Sequence, residues 1–310
     1  MRLVFLGTPE FAVPSLERCL EAGHDIKGVF TQPDRPKGRG QALAFSPVKE
    51  AALRHGVPVF QPRRIREPDV VKQLAELDAD VMVVVGYGQI IPQAVIDLPR
   101  FGIINVHASL LPKYRGAAPI QWTIARGEQV TGVTTMQIDA GLDTGDILLQ
   151  QESAIGPEET APELSRRLAA LGAALLAETL RRAEEGTLEP RRQDPALATY
   201  APILKKEDGL IEWTQPAAEV VNRCRGFLPW PGCYTTFRGQ LLHIGKARAR
   251  EGAMEAPPGA LLPGKRELLV ACGDGTLVEL LEVQPEGRKV IPAQAFLNGY
   301  RPGHRELLGQ

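Results

Sequence analysis

The sequence predicts a doubly wound, mostly parallel α/β sheet followed by a small β-barrel, and three observations carry that expectation. An apolar run at 2–6 leads through a glycine-bearing loop into a helical pattern, which is how a βαβ unit opens. The runs at 81–85 and 102–106 are continuously apolar and largely β-branched, as in strands of a parallel sheet covered on both faces. Beyond residue 203 the pattern changes to short apolar-polar alternations broken by Gly and Pro, the signature of a small antiparallel barrel.

Taken in order, Leu16, Leu20 and Ala22 give the first helix, and 26–30 reads as the second strand. Ser46 and Pro47 supply an N-cap and a first-turn proline for a helix to about His55. A short strand at 59–60 precedes 81–85 and 102–106. The runs 130–138 and 147–151 are joined by an acidic, glycine-bearing loop and read as a hairpin-like excursion. Leu164, Leu168, Leu171, Leu175 and Leu176 fall at helical spacing within 161–185. Periodicity then fails from 186 to 202, where Pro190, Pro195 and Pro202 gather among polar residues. The expected organisation is therefore a first domain at 1–188, a linker at 189–203 and a second domain at 204–310. Within the last, strands are expected near 234–237, 241–244, 267–270 and 277–281, with a helix near 216–225.

The chain of 310 residues is 44% apolar and 24% charged, an ordinary globular balance long enough for two modest domains. A formal net charge of −1 excludes a basic surface as a whole-chain property and leaves any nucleic-acid contact local. Neither a basic-then-apolar leader nor an apolar stretch of about 18 residues is present, so the expectation is a cytosolic protein without membrane contact. Cys19, Cys224, Cys233 and Cys272 have no CxxC spacing, so they read as reduced packing residues and no metal is expected. Without a coiled-coil heptad or an evident apolar patch, the expectation is a monomer with no stable protein partner.

The chemistry concentrates at Asn105-Val106-His107-Ala108-Ser109-Leu110-Leu111-Pro112, where an apolar strand runs out. Ligands of open α/β sheets bind at such carboxyl ends. Alternation puts Asn105 and His107 on one side of the strand and Val106 on the other. Downstream, Asp139-Ala-Gly141-Leu142-Asp143-Thr144-Gly145-Asp146 offers three carboxylates. They read as turn residues, as a calcium site that the spacing disfavours, or as the source of one carboxylate facing His107. Asparagine, histidine and aspartate suit amide or formyl transfer. An amine attacking a formyl carbon forms an oxyanion that needs preorganised donors, and it must shed a proton. Asn105 and the protonated His107 would hold the oxyanion, while Asp143 stabilises the imidazolium and relays the proton.

These residues resemble the 10-formyltetrahydrofolate-dependent formyltransferases along nearly the whole chain. The likeness runs through Phe5-Leu-Gly-Thr-Pro-Glu-Phe11, residues 31–40 and 80–85, Asn105 to Pro112, Arg115-Gly-Ala-Ala-Pro-Ile120, Gly141 to Asp146, and 222–231. The resemblance implies Asn105, His107 and Asp143 as the catalytic set. It implies 10-formyltetrahydrofolate as donor, lined by Ser109, Leu110, Leu111 and Pro112, with backbone contacts from strand-end residues Val84, Val85 and Tyr87. Within the family, the branch acting on methionyl initiator tRNA carries a basic loop that enters the acceptor end. The matching loop here holds Arg35, Lys37 and Arg39 interleaved with Gly38 and Gly40 and is expected to stay mobile until phosphates order it. The resemblance also implies an OB-like barrel facing tRNA. Lys246, Arg248 and Arg250 alternate along one expected strand, and Lys205, Lys206 and Arg288-Lys289 extend the basic face. From 204 onward 14 Lys/Arg stand against 12 Asp/Glu, a net of +2 and a weak bias.

Four other readings are weaker. An N-formyltransferase of amino sugar nucleotides would keep the same three residues and have no use for the loop at 33–41. A dinucleotide-dependent oxidoreductase is disfavoured because Gly7-Thr-Pro-Glu10 lacks the later glycines of G-x-G-x-x-G. A tRNA-binding module without catalysis is disfavoured by the intact Asn, His and Asp set. The fused formyltetrahydrofolate dehydrogenases need a second large catalytic domain that 310 residues do not hold.

Overall fold

A computed structural model describes residues 1–37, 42–252 and 255–310. The first sheet is built from β1 (Arg2–Gly7), β2 (Asp25–Phe30), β3 (Val59–Phe60), β4 (Val81–Val85), β5 (Ile103–His107), β6 (Val130–Gln137) and β7 (Ile147–Ala154). Their order is β7-β6-β5-β4-β1-β2-β3. The pairs from β3 to β5 are parallel, whereas β6 and β7 add antiparallel at one edge. Strand order reverses between β1 and β4, where Gly7 pairs with Val85, so the topological switch point lies at their carboxyl ends. β1 and β4 are buried almost throughout, as their unbroken apolar sequences predict.

Helix Pro47–Arg54 starts as its sequence dictates. The Ser46 hydroxyl accepts from the Lys49 N–H at 3.1 Å and Pro47 takes the first turn, a cap worth about 1 kcal/mol. Helix Ala161–Glu185 lies against β5 and β6: a Cβ at Gly172 would sit 2.9 Å from Val106, and the hydroxyls of Thr135 and Thr179 meet at 2.8 Å. Val106 thus points into packing. The neighbouring Asn105 and His107 side chains take the opposite face of the strand.

The compact units are not contiguous in sequence. The first comprises 1–116, 130–154 and 165–201, and the second comprises 117–129, 155–164 and 202–310. Helix Pro119–Ala125 belongs to the second because it packs on helix Ala217–Gly226, so closely that a Cβ at Gly226 would lie 2.9 Å from the Gln121 carbonyl. Trp122 meets Phe227 edge to face at 5.3 Å, and Arg225 donates to the carbonyls of Gly156 and Glu159.

The second unit carries an antiparallel sheet of β8 (Cys233–Phe237), β9 (Gln240–Arg250), β10 (Leu261–Pro263), β11 (Leu268–Ala271) and β12 (Leu277–Pro285), in the order β8-β9-β12-β11-β10. The two edges are bridged by 306–310: Leu261 N–H donates to Glu306 and Leu308 N–H to Gly259 on one side, and Gly309 N–H donates to Thr236 on the other. That lacing gives the barrel the sequence predicts. Its core gathers Trp213, Phe227, Phe237 and Phe296 with Cys224, Cys233 and Cys272. All four cysteines are free and buried, and burial pushes the Cys19 and Cys272 thiols up to about 12.

Candidate active site

β5 ends at the site. His107 is 6% exposed, and its Nε2 lies 2.9 Å from the Tyr114 carbonyl. A carbonyl only accepts, so Nε2 carries the proton and donates. Nδ1 then faces Asp143 Oδ2 at 3.7 Å. Asn105 stands half-buried two residues earlier, and among the described residues its amide has no hydrogen-bond partner.

The 139–146 loop resolves the choice among its carboxylates. Asp139 is a turn residue: it accepts from the Gly141 N–H at 3.0 Å and from the Thr144 hydroxyl at 2.7 Å. Asp143 is the carboxylate turned to His107. It also accepts from the Gly116 N–H at 2.8 Å. Asp143 holds a left-handed φ of +51°, which costs a non-glycine residue about 1 kcal/mol or more. Gly145 is required here, since a Cβ would fall 1.9 Å from the Gln137 carbonyl. Among the described residues no group of His, Cys, Asp and Glu is arranged to hold a metal ion.

The loop after the turn approaches another chain segment closely at Gly116. Arg115–Gly116 pairs in parallel with Tyr200–Ala201, and a Cβ at Gly116 would lie 2.6 Å from the Ala201 carbonyl.

The turn after β5 is tied to the antiparallel edge. Thr134 donates to the Ser109 carbonyl at 2.7 Å and accepts from the Leu111 N–H at 3.1 Å. Gln150 donates to the Leu111 carbonyl at 2.9 Å, and the Ser109 hydroxyl donates to Lys113 at 2.6 Å. Leu110 and Pro112 remain half-buried. At the switch point, the Val84 and Val85 side chains are buried, and their backbone pairs with Leu6 and Gly7 of β1. Tyr87 is buried, its hydroxyl has no hydrogen-bond partner among the described residues, and burial pushes it up to about 12. Its carbonyl accepts from Thr8 at 3.2 Å and Gln32 at 3.0 Å.

The basic loop springs from a two-stranded root, Arg35–Lys37 paired with Ala42–Ala44. Arg35 is exposed; Arg39 and the Lys37 side chain lie outside the described residues. Asp34, at the root, is bonded to Lys49 and Gln61, and they hold its carboxyl below the usual range. In the second unit Lys205, Lys206, Lys246, Arg248 and Arg250 are all exposed. Arg248 bonds Glu279 at 2.8 Å, with Arg250 at 3.4 Å from the same carboxylate and 3.5 Å from Glu267. Lys246 stands opposite Glu282 across the ladder. Two of the three cations expected to form a free basic stripe thus carry their own counter-ions.

Arg115, Thr134, Gln150 and Gln193 all hold the loops around the site, and of these only Arg115 lies in a sequence motif. Gln193 is half-buried and donates to the carbonyls of Asp143 and Gly145. No periodicity or spacing marks it, because its partners are about 50 residues away in the chain.

Comparison with known proteins agrees along the whole chain. The family model described as formyl transferase matches residues 1–180, and that described as formyl transferase, C-terminal domain, matches 203–301. The methionyl-tRNA formyltransferase of Solibacter usitatus is 62% identical over 310 residues, covering 100% of this chain and 99% of that one. That of Koribacter versatilis is 58% identical over 311 residues, with the same coverage. Among solved structures, the N-formyltransferase of Helicobacter canadensis, determined with folinic acid and dTDP-3-aminofucose, superposes with a TM-score of 0.69 at 20% identity. It covers 91% of this chain and 98% of that one, a likeness of fold. Matched in both halves and along its full length, the chain belongs to the formyl transferase family, among the methionyl-tRNA formyltransferases.

Proposed function

We propose that the chain transfers the formyl group of 10-formyltetrahydrofolate to the amino group of methionyl initiator tRNA, and that Asn105, His107 and Asp143 carry the reaction. The observation that supports this most directly is the convergence of an unspent amide, an imidazole and a carboxylate at one strand end, with His107 Nδ1 3.7 Å from Asp143. The amine nitrogen attacks the formyl carbon and forms a tetrahedral oxyanion. Asn105 and the Nδ1–H of the protonated His107 donate to that oxygen, an arrangement worth about 10²- to 10³-fold in rate per donor. Asp143 takes part in moving the proton off the attacking nitrogen, and collapse breaks the bond to N10 of the donor, which leaves protonated. No step calls for a metal.

The donor lies against the backbone at Val84, Val85 and Tyr87 and the turn Ser109 to Pro112. Arg35, Lys37 and Arg39 approach the tRNA acceptor end, and Lys205, Lys206, Lys246, Arg248 and Arg250 lie along its body. In this reading 1–188 performs transfer, 204–310 holds tRNA and 189–203 joins them, in a monomer working in the cytoplasm. Among the described residues no helix is long and apolar enough to cross a membrane. The test is transfer of labelled formyl from 10-formyltetrahydrofolate to methionyl initiator tRNA, methionyl elongator tRNA and a UDP-amino sugar. Preference for the initiator upholds the reading, and transfer to the sugar alone overturns the acceptor.

A further inference from the structure

The segment 189–203, expected as a linker, is bonded across the site. Ile147 and Arg191 exchange both backbone hydrogen bonds at 2.8 Å. Further on, Arg115 N–H donates to the Thr199 carbonyl at 2.9 Å and Tyr114 N–H to the Thr199 hydroxyl at 2.9 Å. Tyr114 is the residue whose carbonyl receives His107. One strap therefore touches the loop that carries Asp143 and the loop that holds His107.

Gln193 is the centre of that strap. Its Oε1 accepts from Arg115 Nε at 3.1 Å and Nη2 at 2.7 Å, and its Nε2 donates to the Asp143 carbonyl at 2.9 Å and the Gly145 carbonyl at 2.7 Å. A primary amide has two acceptor sites and two N–H groups, and all four are used. The reverse orientation would set N–H groups against a guanidinium and oxygen against two carbonyls. Arg115 is itself 5% exposed, so its planar fork is fixed by packing. The result is a rigid bracket from Arg115 through Gln193 onto the backbone of a residue held at φ +51°.

We propose that Gln193, fixed by Arg115, is a positioning residue that holds the Asp143 carboxylate toward His107. It acts through the Asp143 backbone and touches neither substrate. The proposal rests on the reading that Asp143 takes part in transfer. Glutamine is the side chain that does this: glutamate has the same shape and would pair with Arg115, but its second oxygen would face two carbonyls and loosen the loop.

The experiment is steady-state formyl transfer by full-length Gln193→Glu, Gln193→Ala and Asp143→Asn proteins, with the double variant Gln193→Glu/Asp143→Asn and melting curves for all. A displacement of about 1 Å at a reacting group costs on the order of 10²-fold, so kcat is expected to fall about 10- to 100-fold in both Gln193 variants. KM for donor and tRNA should move only a few-fold, and Gln193→Glu should melt near the parent. The double variant is expected to lose no more than Asp143→Asn alone, because the two residues act as one unit. A parental kcat in Gln193→Glu beside an impaired Asp143→Asn overturns the proposal and leaves the site reading standing. An additive loss in the double variant also overturns it, since Gln193 would then act elsewhere. A parental kcat in Asp143→Asn sinks the site reading and the proposal together.

Discussion

The end of β5 and the outer face of β9 both bring charged and polar residues together, yet they do so in opposite ways. At β5 three groups have a specific, largely buried partner, His107 with the Tyr114 carbonyl, Asp143 with the Gly116 N–H and Thr134 with the Ser109 carbonyl, while the Asn105 amide is left open. On β9 the guanidiniums are exposed and share one carboxylate, with Arg248 and Arg250 both leaning on the buried Glu279. Buried one-to-one contacts cannot be rearranged without leaving an unpaired polar atom, whereas an exposed guanidinium that shares its partner exchanges with water and salt at little cost. Substitutions in the two places should therefore differ by orders of magnitude and in kind.

The largest effects belong at the strand end. His107→Ala and Asp143→Ala are expected to abolish formylation while tRNA affinity stays within a few-fold; a large loss of binding would show that these groups hold tRNA. Asn105→Ala should cost about 10²- to 10³-fold in kcat, as for a lost oxyanion donor, which single-turnover kinetics would read. On β9 the effects should be smaller and salt-dependent. Lys246→Ala should weaken tRNA binding and reduce the salt slope by about 1. Arg248→Ala should do less, because that guanidinium is partly neutralised by Glu279. Glu279→Gln sharpens the contrast further, since it frees two arginines and should tighten binding a few-fold at low salt; weaker binding would mean that Glu279 orients them.

The smallest expected effect is an acid one, at Asp80. Hydrogen bonds from the Arg2 side chain and backbone hold its carboxyl down at about 2. A carboxylate depressed in the folded state stabilises above its unfolded value of about 3.9 and loses that contribution as pH falls through the folded value. Asp80→Asn should thus be slightly less stable than the parent at pH 7, with the gap closing between about pH 4 and pH 2. The pair is half-buried and reached by solvent, so denaturant midpoints should differ only modestly.

How much the sequence discloses follows the same divide. The parallel strands were legible because covering both faces demands unbroken apolar runs, and the pairing of Asn105 with His107 followed from a period of two. A carboxylate facing His107 was legible as one choice among three; only the folded loop separates Asp139 as a turn former from Asp143. The counter-ions of Arg248 and Arg250 were not legible, because register across β9 and β12 shifts at irregularities around Lys246. Nor was the role of 189–203. A proline-bearing polar stretch without periodicity reads as linker, and nothing local reveals that Gln193 meets Arg115, 78 residues away. Apolar residues likewise carry no label for the core they join, which is why helix Pro119–Ala125 sits with the second unit.

That last feature bears on how the protein is made. A ribosome delivers Ala118, Trp122 and Ala125 about a hundred residues before helix Ala217–Gly226, against which they pack. At roughly 5–20 residues per second the wait is on the order of 5–20 s. For that interval these three residues wait for the helix they pack on, so the core of the second unit closes only after the chain has passed residue 226.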